Sequence, residues 1–134
     1  MFKANIGLII FTNIKQIKMK DFMLLFLGPT YEELGLSPEE LQERMGKWFA
    51  WGKKMEEQGI LRGGDALYGH GKRVSGPDRI VSDGPFVESK ELIGGYYTVA
   101  VENYEQAIEV SQDYPDFDLG GAVEIREVVK FEQQ

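Results

Sequence analysis

The chain has no cysteine and one histidine, His70. The first absence excludes disulfides, thiolate metal sites and cysteine nucleophiles. A lone histidine with no cysteine leaves too few ligands for a catalytic zinc site, and we expect no metal. No run approaches the roughly 18 apolar residues needed to cross a bilayer. Basic residues are also in short supply: 15 Lys and Arg stand against 22 Asp and Glu, for a net charge of −7. Proteins that track a phosphate backbone concentrate cationic side chains, so nucleic acid is not an expected partner, nor is a membrane. No Gly-x-Ser-x-Gly elbow is present, which leaves serine hydrolase chemistry unsupported. Gly63-Gly64-Asp65 and Gly94-Gly95 lack the spacing of a phosphate loop or a dinucleotide fingerprint.

What remains is an ordinary globular composition. A length of 134 residues, 43% of them apolar and 28% charged, suits one domain with a real core. The first twenty residues differ from the rest: Lys3, Lys15, Lys18 and Lys20 all precede the first acid, Asp21. The apolar run Ile6 to Phe11 is shorter than a signal-peptide core and no small-x-small cleavage site follows it, so we expect a cytoplasmic protein. Residues 1–18 are expected to form an N-terminal extension, with an added strand through Gly7 to Phe11, and residues 19–134 the domain.

Asp21 to Leu27 is apolar on both alternating sets, Phe22/Leu24/Phe26 and Met23/Leu25/Leu27, the pattern of a strand covered on both faces. Gly28-Pro29 ends it and a loop is expected up to Ser37. There Ser-Pro-Glu-Glu supplies an N-cap, a proline at the first helical position and carboxylates near the positive end of the helix dipole. Leu41, Met45, Trp48, Gly52 and Met55 then recur at helical spacing as a buried stripe, widened by Phe49 and Trp51. Glu40 with Arg44 and Glu43 with Lys47 make i,i+4 pairs outside, and Gly59 closes the helix in the left-handed conformation. The segments Ile60–Leu67, Lys72–Ser75 and Arg79–Ser82 read as short strands, the last two as a hairpin.

After the forced turn at Asp83-Gly84-Pro85, Gly95 to Glu102 forms a second strand apolar on both faces. Asn103 and Gln106 make a capping box for a helix from Tyr104 to about Asp113 that buries Ala107, Ile108 and Val110. Ala122 to Phe131 is the final strand, with Val123, Ile125, Val129 and Phe131 on one face. Glu127 falls within that apolar set, and a β-bulge that shifts the phase is the favoured explanation over an inward carboxylate. The order of elements predicts an α+β fold of the ferredoxin-like type, an antiparallel sheet with two helices on one face. Two strands apolar on both sides leave the opposite face in need of cover, so a homodimer with its sheets face to face is expected.

With Asp83-Gly84-Pro85-Phe86, Glu88-Ser89-Lys90-Glu91, Gly94-Gly95-Tyr96-Tyr97 and Val123-Glu124-Ile125-Arg126 in view, the chain resembles the YCII-related family in its DGPF-domain branch, from about Met19 to Phe131. The resemblance implies a dimeric α+β barrel of ferredoxin-like subunits and says little about activity. In the wider family an Asp and a His approach each other in a cleft, and DGPF proteins often accompany alternative sigma factors.

Candidate site residues follow from these segments. Asp83 is a candidate general base or partner of a histidine, although capping backbone N–H groups at its turn is the favoured role, and one carboxylate can do both. His70 has the one side chain whose ordinary pKa suits proton transfer near neutrality, and it lies between two glycines as a surface turn would. Arg73 and Arg126 offer planar donors to an anion or to a strand neighbour. Glu88, with Lys90 and Glu91, can hold a polar ligand or form a solvated, ion-paired loop. Tyr96 and Tyr97 point to opposite faces, so one of them, Tyr97 as the ligand-binding candidate, is expected to look into the dimer cavity. Two readings stay open: a cofactor-free small-molecule enzyme or ligand-binding protein with its site at the Asp83 turn and dimer cavity, or a non-catalytic dimeric interaction module.

Overall fold

A computed structural model describes residues 18–85 and 87–132. The expected N-terminal strand through Gly7–Phe11, and Phe86 itself, lie outside the described residues. Strand β1 (Lys20–Leu27) leads through a short helix α1 (Tyr31–Leu34) to the long helix α2 (Pro38–Glu57). Strands β2 (Leu61–Ala66), β3 (Gly71–Ser75), β4 (Ile80–Gly84) and β5 (Ile93–Val101) follow, then helix α3 (Tyr104–Ser111) and strand β6 (Ala122–Glu127). The main sheet runs β2-β5-β1-β6, antiparallel at every pairing, and β3 with β4 makes a separate two-stranded ribbon. With the ribbon set aside, the order is βαββαβ, the ferredoxin-like arrangement predicted from the pattern. No described helix is long and apolar enough to cross a membrane.

The helices take their ends from local chemistry. Ser37 Oγ accepts the Glu40 N–H at 3.2 Å while Glu40 Oε1 accepts the Ser37 N–H at 3.3 Å, which satisfies two donors that the first turn of α2 leaves free. At the other end Gly59 adopts φ +72°, and the Ile60 N–H reaches back to the Met55 carbonyl at 3.1 Å. Asn103 caps α3 by accepting from the Gln106 N–H, but the Gln106 side chain accepts from the Glu102 N–H, one residue earlier than a capping box requires.

One face of the sheet carries the core. Phe22, Leu24 and Phe26 of β1 and Val99 and Val101 of β5 pack beneath Trp51 and Met55 of α2, Ala107 of α3 and Tyr114. The other set of β1, Met23, Leu25 and Leu27, is only half-buried within the single chain.

Four details differ from the sequence pattern. The buried side of α2 runs through Arg44, Trp48, Trp51 and Met55, while Met45 and Phe49 are exposed. Trp51 is drawn inward because its indole N–H donates to the Val110 carbonyl at 3.1 Å and its ring packs on Phe26. In α3 the inward face is Ala107 with Ser111 one turn on, which leaves Ile108, about 100° around the helix, 48% exposed. No bulge interrupts β6: pairing with β1 is continuous from Leu27 opposite Ala122 to Phe22 opposite Glu127. Glu127 keeps the phase yet reaches solvent because β6 is an edge strand, and its carboxylate faces Lys20 at 3.8 Å. Finally, the expected loop before Ser37 contains α1, capped by Thr30 Oγ1 on the Glu33 N–H and closed by Gly35 at φ +66°.

Candidate functional site

Helix α1 and the first half of α2 stand over the ends of β1, β2 and β5, and the segment Tyr114–Gly121 closes one side. The space between is a cleft of about 530 Å³, within the range of small-molecule sites. Its walls are aromatic. Phe26, Trp48 and Tyr97 meet edge to face, with ring centroids 4.9 Å apart for Phe26 and Trp48 and 5.4 Å for Phe26 and Tyr97. Two glycines make room for these rings. A Cβ on Gly64 would overlap the Tyr97 ring, and one on Gly121 would overlap the Tyr114 hydroxyl and come within 2.9 Å of the Asp116 carbonyl oxygen.

A polar network is set into this apolar wall. Tyr31 Oη donates to Asp116 Oδ2 at 2.6 Å, and Trp48 Nε1 donates to Tyr31 Oη at 2.8 Å. Asp116 Oδ1 is buried and has no hydrogen-bond partner among the described residues. The nearest cation, Arg44, lies 3.6 Å from that oxygen, beyond hydrogen-bond reach. Its guanidinium is committed elsewhere, to both oxygens of Asp118 at 2.6 Å and to the Pro115 carbonyl at 2.7 Å.

The electrostatics follow from this geometry. Burial pushes the Asp116 carboxyl above the usual aspartate range, against the opposing pull of the Tyr31 hydrogen bond and of Arg44. Burial also raises the phenols of Tyr31, Tyr97 and Tyr114, with Asp116 adding to the effect at Tyr31 and Tyr114 and Glu56 at Tyr97. Asp118, exposed and clasped by Arg44, is lowered. Asp116 is therefore a carboxyl in a mostly apolar cleft, able to exchange a proton or accept a hydrogen bond from a bound molecule.

Of the residues expected from sequence, Tyr97 and its neighbour Tyr96 line this cleft, and Asp83, His70, Arg73, Glu88 and Arg126 do not. Asp83 sits in β4 opposite Lys72, whose ammonium bonds its Oδ1 at 2.5 Å, and the Asp83 side chain is 80% exposed. It bonds no backbone N–H among the described residues, which do not include Phe86, and no histidine bonds to it. His70 precedes β3 and stacks on Tyr68 in solvent, with no hydrogen bond or ion pair to Asp83 among the described residues. Arg73 is exposed in β3 opposite Ser82. Glu88 stands at the start of a single 3₁₀ turn and makes no capping bond. Arg126 lies opposite Met23 on β6, and Tyr96 donates to Asp65 at 2.9 Å at the cleft wall. No group of three or more His, Cys, Asp or Glu able to hold a metal occurs among the described residues.

Sequence reasoning passed over Tyr31 and Asp116, and read Arg44 and Trp48 as helix-surface pairing and core packing rather than as site residues. The signal for the first two lay in Tyr114-Pro-Asp-Phe-Asp118, two carboxylates threaded between aromatics ahead of Gly120-Gly121, and in Thr30-Tyr-Glu-Glu33, a helix start read as loop.

Fold and site together define a ferredoxin-like α+β domain with an aromatic cleft over one end of its sheet. The chain belongs to the YCII-related domain family, whose model matches residues 23–132. No curated protein matches it.

Proposed function

We propose that this YCII-related protein binds a small, largely apolar organic molecule in the cleft, with Asp116 as the polar contact and proton-exchanging group and with Tyr31 and Trp48 positioning it. The observation that carries this reading is a carboxyl held in an aromatic cleft, its side chain 14% exposed, with one oxygen lacking a donor among the described residues. A buried polar atom ordinarily has at least one hydrogen-bond partner, and the closest group to Asp116 Oδ1 among the described cations is Arg44 at 3.6 Å. The run Asp83 to Phe86 supports assignment to the DGPF branch, as a family mark rather than as the reactive centre.

A homodimer belongs to the same proposal. Met23, Leu25 and Leu27 form a half-buried apolar row on the face away from the helices, and a second copy is the partner that such a self-complementary sheet face suits. Light scattering at micromolar concentration is expected to give twice the chain mass, and a monomer would overturn this part. The cleft is tested by calorimetric titration of a library of small organic molecules into wild-type protein, Ala66→Trp and Asp83→Asn. Ala66 lines the cleft, so the tryptophan is expected to abolish binding, while the Asp83 variant binds as wild type does. Equal binding by Ala66→Trp, or loss of binding in Asp83→Asn, would move the site away from the cleft.

A further inference from the structure

Resting on the cleft as the ligand site, the sign of its charge narrows the ligand class, and we propose that the cleft takes an organic cation, an ammonium carried on an apolar body. Apart from tyrosines, the ionisable side chains that line it are Asp65 and Asp116; no Lys, Arg or His is among the described lining residues. Arg44 stands behind Asp116 with its donors turned to Asp118 and the Pro115 carbonyl, so it offers no free fork to an incoming anion. An anionic ligand would meet two carboxylates and have no counter-charge. A cation meets the carboxylate of Asp65, bonded through Oδ2 to Tyr96, and the negative field of Asp116 in the wall, whose buried Oδ1 has Arg44 3.6 Å away.

The walls favour the same sign. Trp48, Tyr97, Tyr31 and Phe49 present ring systems to the cleft, and aromatic faces attract ammonium groups electrostatically, most strongly where water is excluded. Phe49 is exposed at the rim, where a cation on its way in first meets a ring. The net charge of −7 draws cations and repels anions at longer range. The volume of about 530 Å³ leaves room for an apolar body beside the ammonium.

The test is isothermal calorimetry on the full chain with four probes that share one body: phenethylammonium, phenethyltrimethylammonium, phenethyl alcohol and phenylacetate. The two cations are expected to bind about tenfold or more tighter than phenylacetate, with the alcohol between them. Asp116→Asn, its fold checked by circular dichroism, is expected to shrink that preference to about threefold, and Asp65→Asn provides the same readout should the first variant fail to fold. Phenylacetate binding as tightly as the cations would overturn the charge assignment and leave the cleft as a ligand site. Failure of all four probes, together with failure of the wider library, would overturn both.

Discussion

Asp83 and Asp116 each stand within two residues of a proline, and the fold treats them in opposite ways. Asp83 lies on a two-stranded ribbon that projects from the sheet; its side chain is 80% exposed and its partner is a lysine that is itself exposed. Asp116 lies at the wall of an aromatic cleft, 14% exposed, bonded to a phenol and shifted by burial. The segment around Asp83 is the more distinctive as a string of letters, with its charges, its Gly-Pro and its paired glycines. Reactivity depends instead on how water is excluded, and of these two aspartates Asp116 is the one shielded from it. The segment most distinctive in sequence and the proposed binding site therefore fall in different parts of this molecule.

The largest expected contrast is in stability. Phe26 packs against Trp48, Trp51, Tyr97 and Tyr114. Phe26→Ala is expected to cost about 3–5 kcal/mol by urea denaturation, through lost burial and the cavity left behind. Val74 on the ribbon is 63% exposed, and Val74→Ala is expected to cost less than about 0.5 kcal/mol. Comparable losses from the two variants would mean that the ribbon is buried against a second copy in solution, and would make it part of the dimer interface.

Next in size is the cleft's backbone. Gly121→Ala places a methyl group against the Tyr114 hydroxyl and the Asp116 carbonyl, and an overpacked site of this kind costs about 1–3 kcal/mol. Ligand binding is expected to fall along with stability, because the same shift displaces Asp116. A Gly121→Ala protein that lost stability yet bound as wild type would detach the Asp116 segment from the site.

The pH dependence separates Asp116 from its neighbour Asp118. Asp116 is raised in the native state, so the folded chain holds its proton more tightly than the unfolded chain does. Its contribution to stability is present below the unfolded pKa and is lost as pH rises through the folded value. Asp118 is lowered by Arg44, so its contribution is present above the unfolded pKa and is lost as pH falls through the folded value. The stability difference, Asp116→Asn minus wild type, is expected to move in the variant's favour from pH 3 to pH 7, roughly the range over which aspartates titrate. Asp118→Asn moves the opposite way. Parallel curves would show that the cleft does not perturb Asp116.

The difference between ribbon and cleft also marks what the sequence could and could not disclose. The six strands and the two longer helices carried local signatures: alternation in Phe22 to Leu27, the Ser37 cap with Glu40, and the Asn103 cap. These are short-range properties and survive into the fold. The cleft network joins Tyr31 to Asp116 across 85 positions and Arg44 to Asp118 across 74, and no local pattern encodes such a meeting. Arg44 shows the limit: it was paired with Glu40 by helical spacing, yet the carboxylate of Asp118, 74 positions on, holds it in bidentate fashion instead. Alternation put Tyr96 and Tyr97 on opposite faces but could not say which face the helices cover: Tyr97, expected toward a dimer cavity, lies opposite Leu24 on the core face.

The smallest expected effect is the sharpest test of the comparison. In Asp83→Asn the Lys72 ammonium loses a charged partner, but both side chains are largely in water, 73% and 80% exposed, where such pairs contribute little and salt screens what remains. The change in stability is expected to stay within about 0.5 kcal/mol, and to vanish at high ionic strength. Lys72→Met should behave alike, and the double variant should show a coupling below about 0.5 kcal/mol. A loss several times larger, insensitive to salt, would mean that the pair is desolvated in the assembled protein. In that case the ribbon would be packed against a second copy, and Asp83 would regain its standing as a buried carboxylate at an intersubunit site.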